Sequence, residues 1–139
     1  MKASKSVKVL TTVLILSVTT NLFAQNPSSQ KSVINQITTN SLYGLKSDYS
    51  SVIESTLFVI LQVKDRYPNA NYDKLIDKLN ELAIDGKTPS IRYKAQLASL
   101  YYNYHDLFAE IKFVEKENPD KYFKMIAEKI ESQSILAVN

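Results

Sequence analysis

The chain has 139 residues, of which 45% are hydrophobic and 22% charged. This length suits one globular domain, and this composition is too apolar for a chain that is disordered throughout. The net charge of +3 is carried by three lysines within the first eight residues, so the chain beyond residue 24 is neutral and lacks the clustered positive charge that nucleic-acid binding needs. The absence of cysteine excludes disulfides, a thiol nucleophile, and attachment of haem or lipid through a cysteine.

Residues 1–24 have the order of a secretory signal peptide. Three lysines lie in or before an apolar stretch from Val7 to Val18, polar residues follow, and Ala24 offers a small residue for cleavage. A membrane-spanning helix needs about 20 predominantly apolar residues, and this stretch is shorter and contains hydroxyl side chains. We therefore predict cleavage after Ala24, with no membrane span left, and keep a retained anchor as the alternative.

The end of this leader, Phe23-Ala24-Gln25, resembles the leaders of some Gram-negative envelope proteins. The resemblance covers the leader alone. It implies that the protein is exported to the periplasm or out of the cell of a Gram-negative-type bacterium.

The chain after the leader is predicted to contain a lead-in and one helical domain. Residues 25–40 are expected to be flexible or weakly helical, and residues 41–139 to form a single helical bundle. The weak helix formers at 38–41, followed by Gly44, favour a kink or a flexible lead-in near Gly44. A first helix over about 41–67 is indicated by apolar residues at helical spacing, which are Leu45, Tyr49, Val52, Ile53, Thr56, Ile60 and Val63.

Two shorter amphipathic helices are predicted at 71–85 and 119–133. Between Tyr72 and Ala83 the apolar residues fall within an arc of about 120° on the helix surface. Asp85-Gly86 is expected to end the first of these helices, since glycine accepts the left-handed conformation. Asn118-Pro119-Asp120 has the cap, first-turn proline and first-turn acid of a helix start.

The segment 89–117 is predicted to be the central helix. Thr88-Pro89 resembles a helix start, and small residues at 95, 98 and 109 would allow close approach of a neighbour. More than one neighbour must cover it, because its apolar residues form a broad face and a second strip beside it. The broad face is Leu97, Leu100, Tyr101, Tyr104, Leu107, Phe108 and Ile111; the second strip is Ile91, Ala95, Ala98, Tyr102, Ala109 and Phe113. The fold class is therefore all-α, a small up-and-down bundle of about four helices.

The residues that carry chemistry are few. His105 is the only histidine, and a carboxylate-x-x-histidine metal motif is absent because Tyr102 precedes it by three positions. Asp106 and Glu110, one turn apart, are expected to be solvated rather than to bind Ca²⁺. A Ser/His/Asp triad stays open, since its members can lie anywhere in a sequence, but nothing selects a nucleophile. We predict no catalytic residue, no metal and no cofactor, and hence no enzyme.

The nine tyrosines are the unusual feature of the composition. Several crowd the central helix, where tyrosine offers either a binding face or packing at the rim of the core. Packing at the rim of the core is the interpretation that we favour for them. The candidates for an interaction surface are Tyr101, Tyr102 and His105, with Tyr102 as the best candidate for an exposed contact. For His105 we expect a histidine at the edge of the core that is hydrogen-bonded to a neighbour.

Two functions remain. The first is an exported module of interaction or structural role, without catalysis, that binds another protein or itself through helical faces. The second is a binder of a small apolar ligand in the bundle core.

Overall fold

The computed structural model describes residues 27–113 and 118–136, so the predicted signal peptide lies outside the described residues. The described residues form α-helices and one short 3₁₀ helix, His105–Phe108, and contain no strand. The α-helices are α1 (Pro27–Leu45), α2 (Ser50–Arg66), α3 (Asp73–Asp85), α4 (Pro89–Asn103) and α5 (Pro119–Leu136). The predicted all-α class is confirmed, with five α-helices in the described residues where about four were expected.

The first predicted helix, 41–67, is two helices joined at residues 46–49. The amides of Lys46 and Ser47 donate to the carbonyls of Tyr43 and Gly44, and the Tyr49 amide donates to the Ser47 hydroxyl just before α2 begins. The helix α1 also takes in residues 27–40, which were expected to be a flexible or weakly helical lead-in. Tertiary packing explains this difference, because Ile34, Ile37 and Leu42 of α1 lie against the core.

Gly44 lies where α1 approaches α2 most closely. A Cβ atom at this position would collide with the Thr56 hydroxyl. That hydroxyl is held in place because it donates to the Val52 carbonyl at 2.7 Å. Gly44 is therefore favoured by its contact with Thr56, since its φ is not in the left-handed region.

The predicted starts of α4 and α5 are confirmed, and α3 begins at Asp73, two residues after its predicted start. The Thr88 hydroxyl accepts from the Ile91 amide at 3.1 Å and caps α4, and α5 begins at Pro119. The end of α3 at Asp85 is confirmed, but the expected reason is wrong. Gly86 has φ −57°, which any residue can adopt. It is glycine because a Cβ would lie 2.5 Å from the Leu82 carbonyl oxygen and 2.9 Å from Ile91.

The predicted helix 89–117 is too long, because α4 ends at Asn103. The Asn103 side chain donates to the Ser99 carbonyl at 2.9 Å, and Tyr104 leaves the helical conformation at φ −126°, ψ 39°. The chain then turns through the 3₁₀ helix and continues to residue 113, while residues 114–117 lie outside the described part. Because α4 ends at Asn103, the side chains that follow do not point where a continuous helix over 89–117 would place them.

The helix α4 is central, as predicted, since α2, α3 and α5 all pack against it. Ala95 and Ala98 are completely buried and allow this close packing, whereas Ala109 lies beyond the helix and is exposed. The completely buried large side chains come from all five α-helices and the 3₁₀ helix, and they include Leu45, Leu57, Leu75, Tyr101, Phe108 and Tyr122. The core therefore joins every helix of the described residues.

Candidate functional site

The structure buries two of the three residues predicted to form an interaction surface. Tyr101 is completely buried and Tyr102 is only 4% exposed. The Tyr102 hydroxyl donates to the Ile60 carbonyl of α2 at 2.7 Å. The prediction that Tyr102 is an exposed contact is therefore wrong, because the second strip of α4 that contains it faces α2 rather than solvent.

Tyr101 belongs to a cluster of aromatic rings that joins the end of α4 to its neighbours. Its ring lies 5.3 Å from Phe108 and 6.0 Å from Phe113, centre to centre. Phe113 in turn stacks on Tyr122 of α5 at 4.7 Å. This cluster is buried packing, and it fixes the direction in which the chain leaves α4.

His105 lies edge-on to the Tyr101 ring at 5.1 Å, at the boundary of the core. It is half-buried, and neither its Nε2 atom nor the buried Tyr101 hydroxyl has a hydrogen-bond partner within the described residues. The predicted hydrogen bond of a boundary histidine is therefore missing at Nε2. Burial, reinforced by the Lys64 charge, lowers the pKa of His105; Asp65 and Asp106 oppose the shift and Lys112 adds to it.

This environment predicts that acid destabilises the protein through His105. Since its pKa in the folded state lies below the ordinary value near 6.5, the unfolded state binds the proton more tightly. Stability is then full above pH 6.5 and falls as the pH drops below it. Between about pH 7.5 and 5.5 we therefore expect the Tm to fall as the pH is lowered.

Thermal unfolding of His105→Gln over the same pH range measures this effect. The variant should show a flatter profile than the wild type, because glutamine does not titrate. Equal slopes for the two proteins would contradict the assignment. Carboxylates titrate mainly at lower pH and contribute little in this window.

A polar cleft lies where the end of α2 faces the turn after α4. It has a volume of about 450 Å³, and its walls include Lys64, Asn69, Asn103, His105 and Asp106. The Lys64 ammonium donates to the Pro68 carbonyl at 2.7 Å and lies over the rings of two tyrosines. Burial lowers the pKa of Lys64, while Asp106 acts against the shift.

An apolar groove adjoins this cleft, between the 3₁₀ helix and α5. It has a volume of about 320 Å³, and Leu100, Phe108 and Ile130 supply its apolar lining. Tyr104 and Leu107 line both the groove and the polar cleft, and they are 57% and 46% exposed. We call these two residues the Tyr104–Leu107 ridge. The ridge is an exposed apolar patch of the described residues, and such patches are typical of binding sites.

Both ridge residues belong to the broad apolar face that the sequence predicts for a longer central helix. Their exposure follows from the end of α4 at Asn103, which turns the following residues away from that face. A local signal for this end exists in the sequence. Asn103, Tyr104, His105 and Asp106 are four consecutive residues of modest helix propensity.

The described residues do not form a metal site of the usual kind. Within 27–113 and 118–136, no group of three or more histidine, aspartate or glutamate side chains lies close enough together to hold a metal ion. None of the described helices combines the length and the apolar character needed to cross a membrane. Comparison with models of protein families, with curated proteins and with solved structures finds no match for this chain.

Proposed function

We propose that the protein is an exported module without catalytic activity that binds a polypeptide partner through the Tyr104–Leu107 ridge. The observation that carries the proposal is the exposure of two large apolar side chains between a polar cleft and an apolar groove. Aromatic and leucine side chains with a polar surround are typical of the centre of a protein interface.

The order of the first 24 residues supports export. A basic start, an apolar stretch and a small residue before a polar segment are the signals that export machinery uses. The proposed location is the periplasm or the exterior of a Gram-negative-type bacterium, where a protein without cysteine relies on its core alone.

A small apolar ligand is the second candidate, and the apolar groove is the observation that favours it. Such a ligand would lie between the 3₁₀ helix and α5, where the apolar groove is. Its chemistry would be that of a compact hydrocarbon or aromatic group.

Native mass spectrometry of the protein isolated from the envelope fraction of cells that naturally produce it separates these candidates. We expect a complex whose added mass is that of a polypeptide. An added mass of only a few hundred daltons would instead support the small ligand. A bare monomer would contradict both.

A further inference from the structure

The surface around the ridge has the two halves of a self-complementary contact. The Tyr104–Leu107 ridge projects beside the apolar groove, and the groove volume of about 320 Å³ can receive side chains of this size. In a two-fold symmetric interface the same patch faces itself, so that residue i contacts j and j contacts i. A surface with a ridge next to a groove satisfies this requirement. In a two-fold arrangement, the ridge of each copy would enter the groove of the other.

The charges next to the ridge also suit a second copy. Lys64 and Asp106 both line the polar cleft, and neither forms an ion pair among the described residues. At the other side, Lys129 and Glu110 pair with each other at 3.0 Å. Within one copy Lys64 donates to the Pro68 carbonyl and is attracted by Asp106, so the cleft carries both signs of charge side by side. A second copy offers an anion for the cation and a cation for the anion.

We propose that the partner on this surface is a second copy of the chain, in a two-fold dimer. Each ridge lies in the groove of the other copy, and Lys64 of each copy pairs with Asp106 of the other. This inference rests on the proposed function. The lining of the two clefts is smaller than the roughly 20–30 residues per side of a standard interface, so we expect the dimer to depend on protein concentration.

Sedimentation equilibrium of the purified protein from about 1 μM to about 1 mM tests the dimer. The wild type should pass from monomer to dimer across this range. Leu107→Asp should weaken association at least tenfold. If Leu107→Asp disturbs the fold, Tyr104→Lys serves as a second variant of the ridge. Ile84→Asp is the matched control, because Ile84 is 75% exposed at the end of α3 and lines neither cleft. A wild type that stays monomeric overturns the inference, and so does a dimer that both ridge variants leave intact.

Charge reversal tests the pairing of Lys64 with Asp106 directly. Lys64→Asp and Asp106→Lys should each weaken the dimer, because like charges then face each other. An equimolar mixture of the two variants should associate again, since each supplies the charge that the other lacks. Circular dichroism checks that each variant is folded. Folded variants that fail to associate when mixed would overturn the pairing.

The outcomes also separate this inference from the proposed function. A complex with a different polypeptide in the native mass spectrum, together with a monomer in sedimentation, overturns the second copy and leaves the interaction module standing. A monomer in both experiments removes both.

Discussion

Replacing Tyr102 by alanine is expected to lower the free energy of unfolding by about 3–5 kcal/mol, the range for truncation of a large buried ring. The Tyr102 ring lies edge-on to Tyr72 at 5.1 Å, and its hydroxyl bonds to the Ile60 carbonyl of α2. The variant loses the packing between α2, α3 and α4 and leaves a cavity where the ring was. Urea unfolding followed by circular dichroism measures the loss.

Tyr104→Ala is the matched control, two positions along the chain. Tyr104 is 57% exposed, so its truncation should change the free energy of unfolding by at most about 1 kcal/mol. The same variant should weaken association through the ridge. Similar losses of stability for the two tyrosines would contradict the assignment of Tyr102 to the core and Tyr104 to the surface.

The second large effect concerns Lys94, whose charge links three helices. Its ammonium on α4 lies 2.7 Å from a carboxylate oxygen of Glu54 on α2 and 2.8 Å from one of Asp120 on α5. It also lies 5.6 Å from the centre of the Phe123 ring. The hydrogen bond to Lys94 lowers the pKa of Glu54, against the opposing effect of burial. The Lys94 side chain is 15% exposed and that of Glu54 31%, so solvent screens this contact less than that of a surface pair, whereas Asp120 is 68% exposed.

Lys94→Met is expected to destabilise the protein by about 1–3 kcal/mol, because two neighbouring carboxylates lose their common cation. Methionine keeps much of the apolar length of the lysine side chain, so the loss reports mainly the charge. Lys124→Met is the control. Lys124 pairs with Glu128 at 3.6 Å on the exposed face of α5, and such a pair contributes less than about 0.5 kcal/mol. A loss at Lys94 no larger than that at Lys124 would show that the three-helix contact does not stabilise the fold.

The parts of the fold that the sequence predicted are those with local signals. Thr88-Pro89 and Asn118-Pro119 mark helix starts through a side-chain cap and a fixed proline φ, which depend only on neighbours in the chain. The buried face of α3 was predicted through its period, and Leu75, Leu79 and Leu82 are indeed buried. These features can be predicted without knowing which element packs against the helix.

The surface around the ridge could not be predicted in this way. Its exposure depends on where α4 ends, and that end is coupled to the burial of Phe108 and Ile111 against other helices. An apolar pattern continues through residues 104–113, so periodicity alone extends the helix past Asn103. The same limit explains why the exposure of Tyr102 was predicted wrongly. The pattern shows that the strip containing Tyr102 is apolar, but it does not show that α2 covers this residue. Helix ends and helix neighbours, rather than helix faces, decide which tyrosine is exposed.

We propose that the Tyr104–Leu107 ridge holds a polypeptide partner. Native mass spectra of the Leu107→Asp protein, beside the wild type and Ile84→Asp, test this proposal. We expect the polypeptide mass on the wild type to survive Ile84→Asp and to disappear with Leu107→Asp, while the circular dichroism of all three proteins stays the same. A complex that persists in folded Leu107→Asp protein would contradict it.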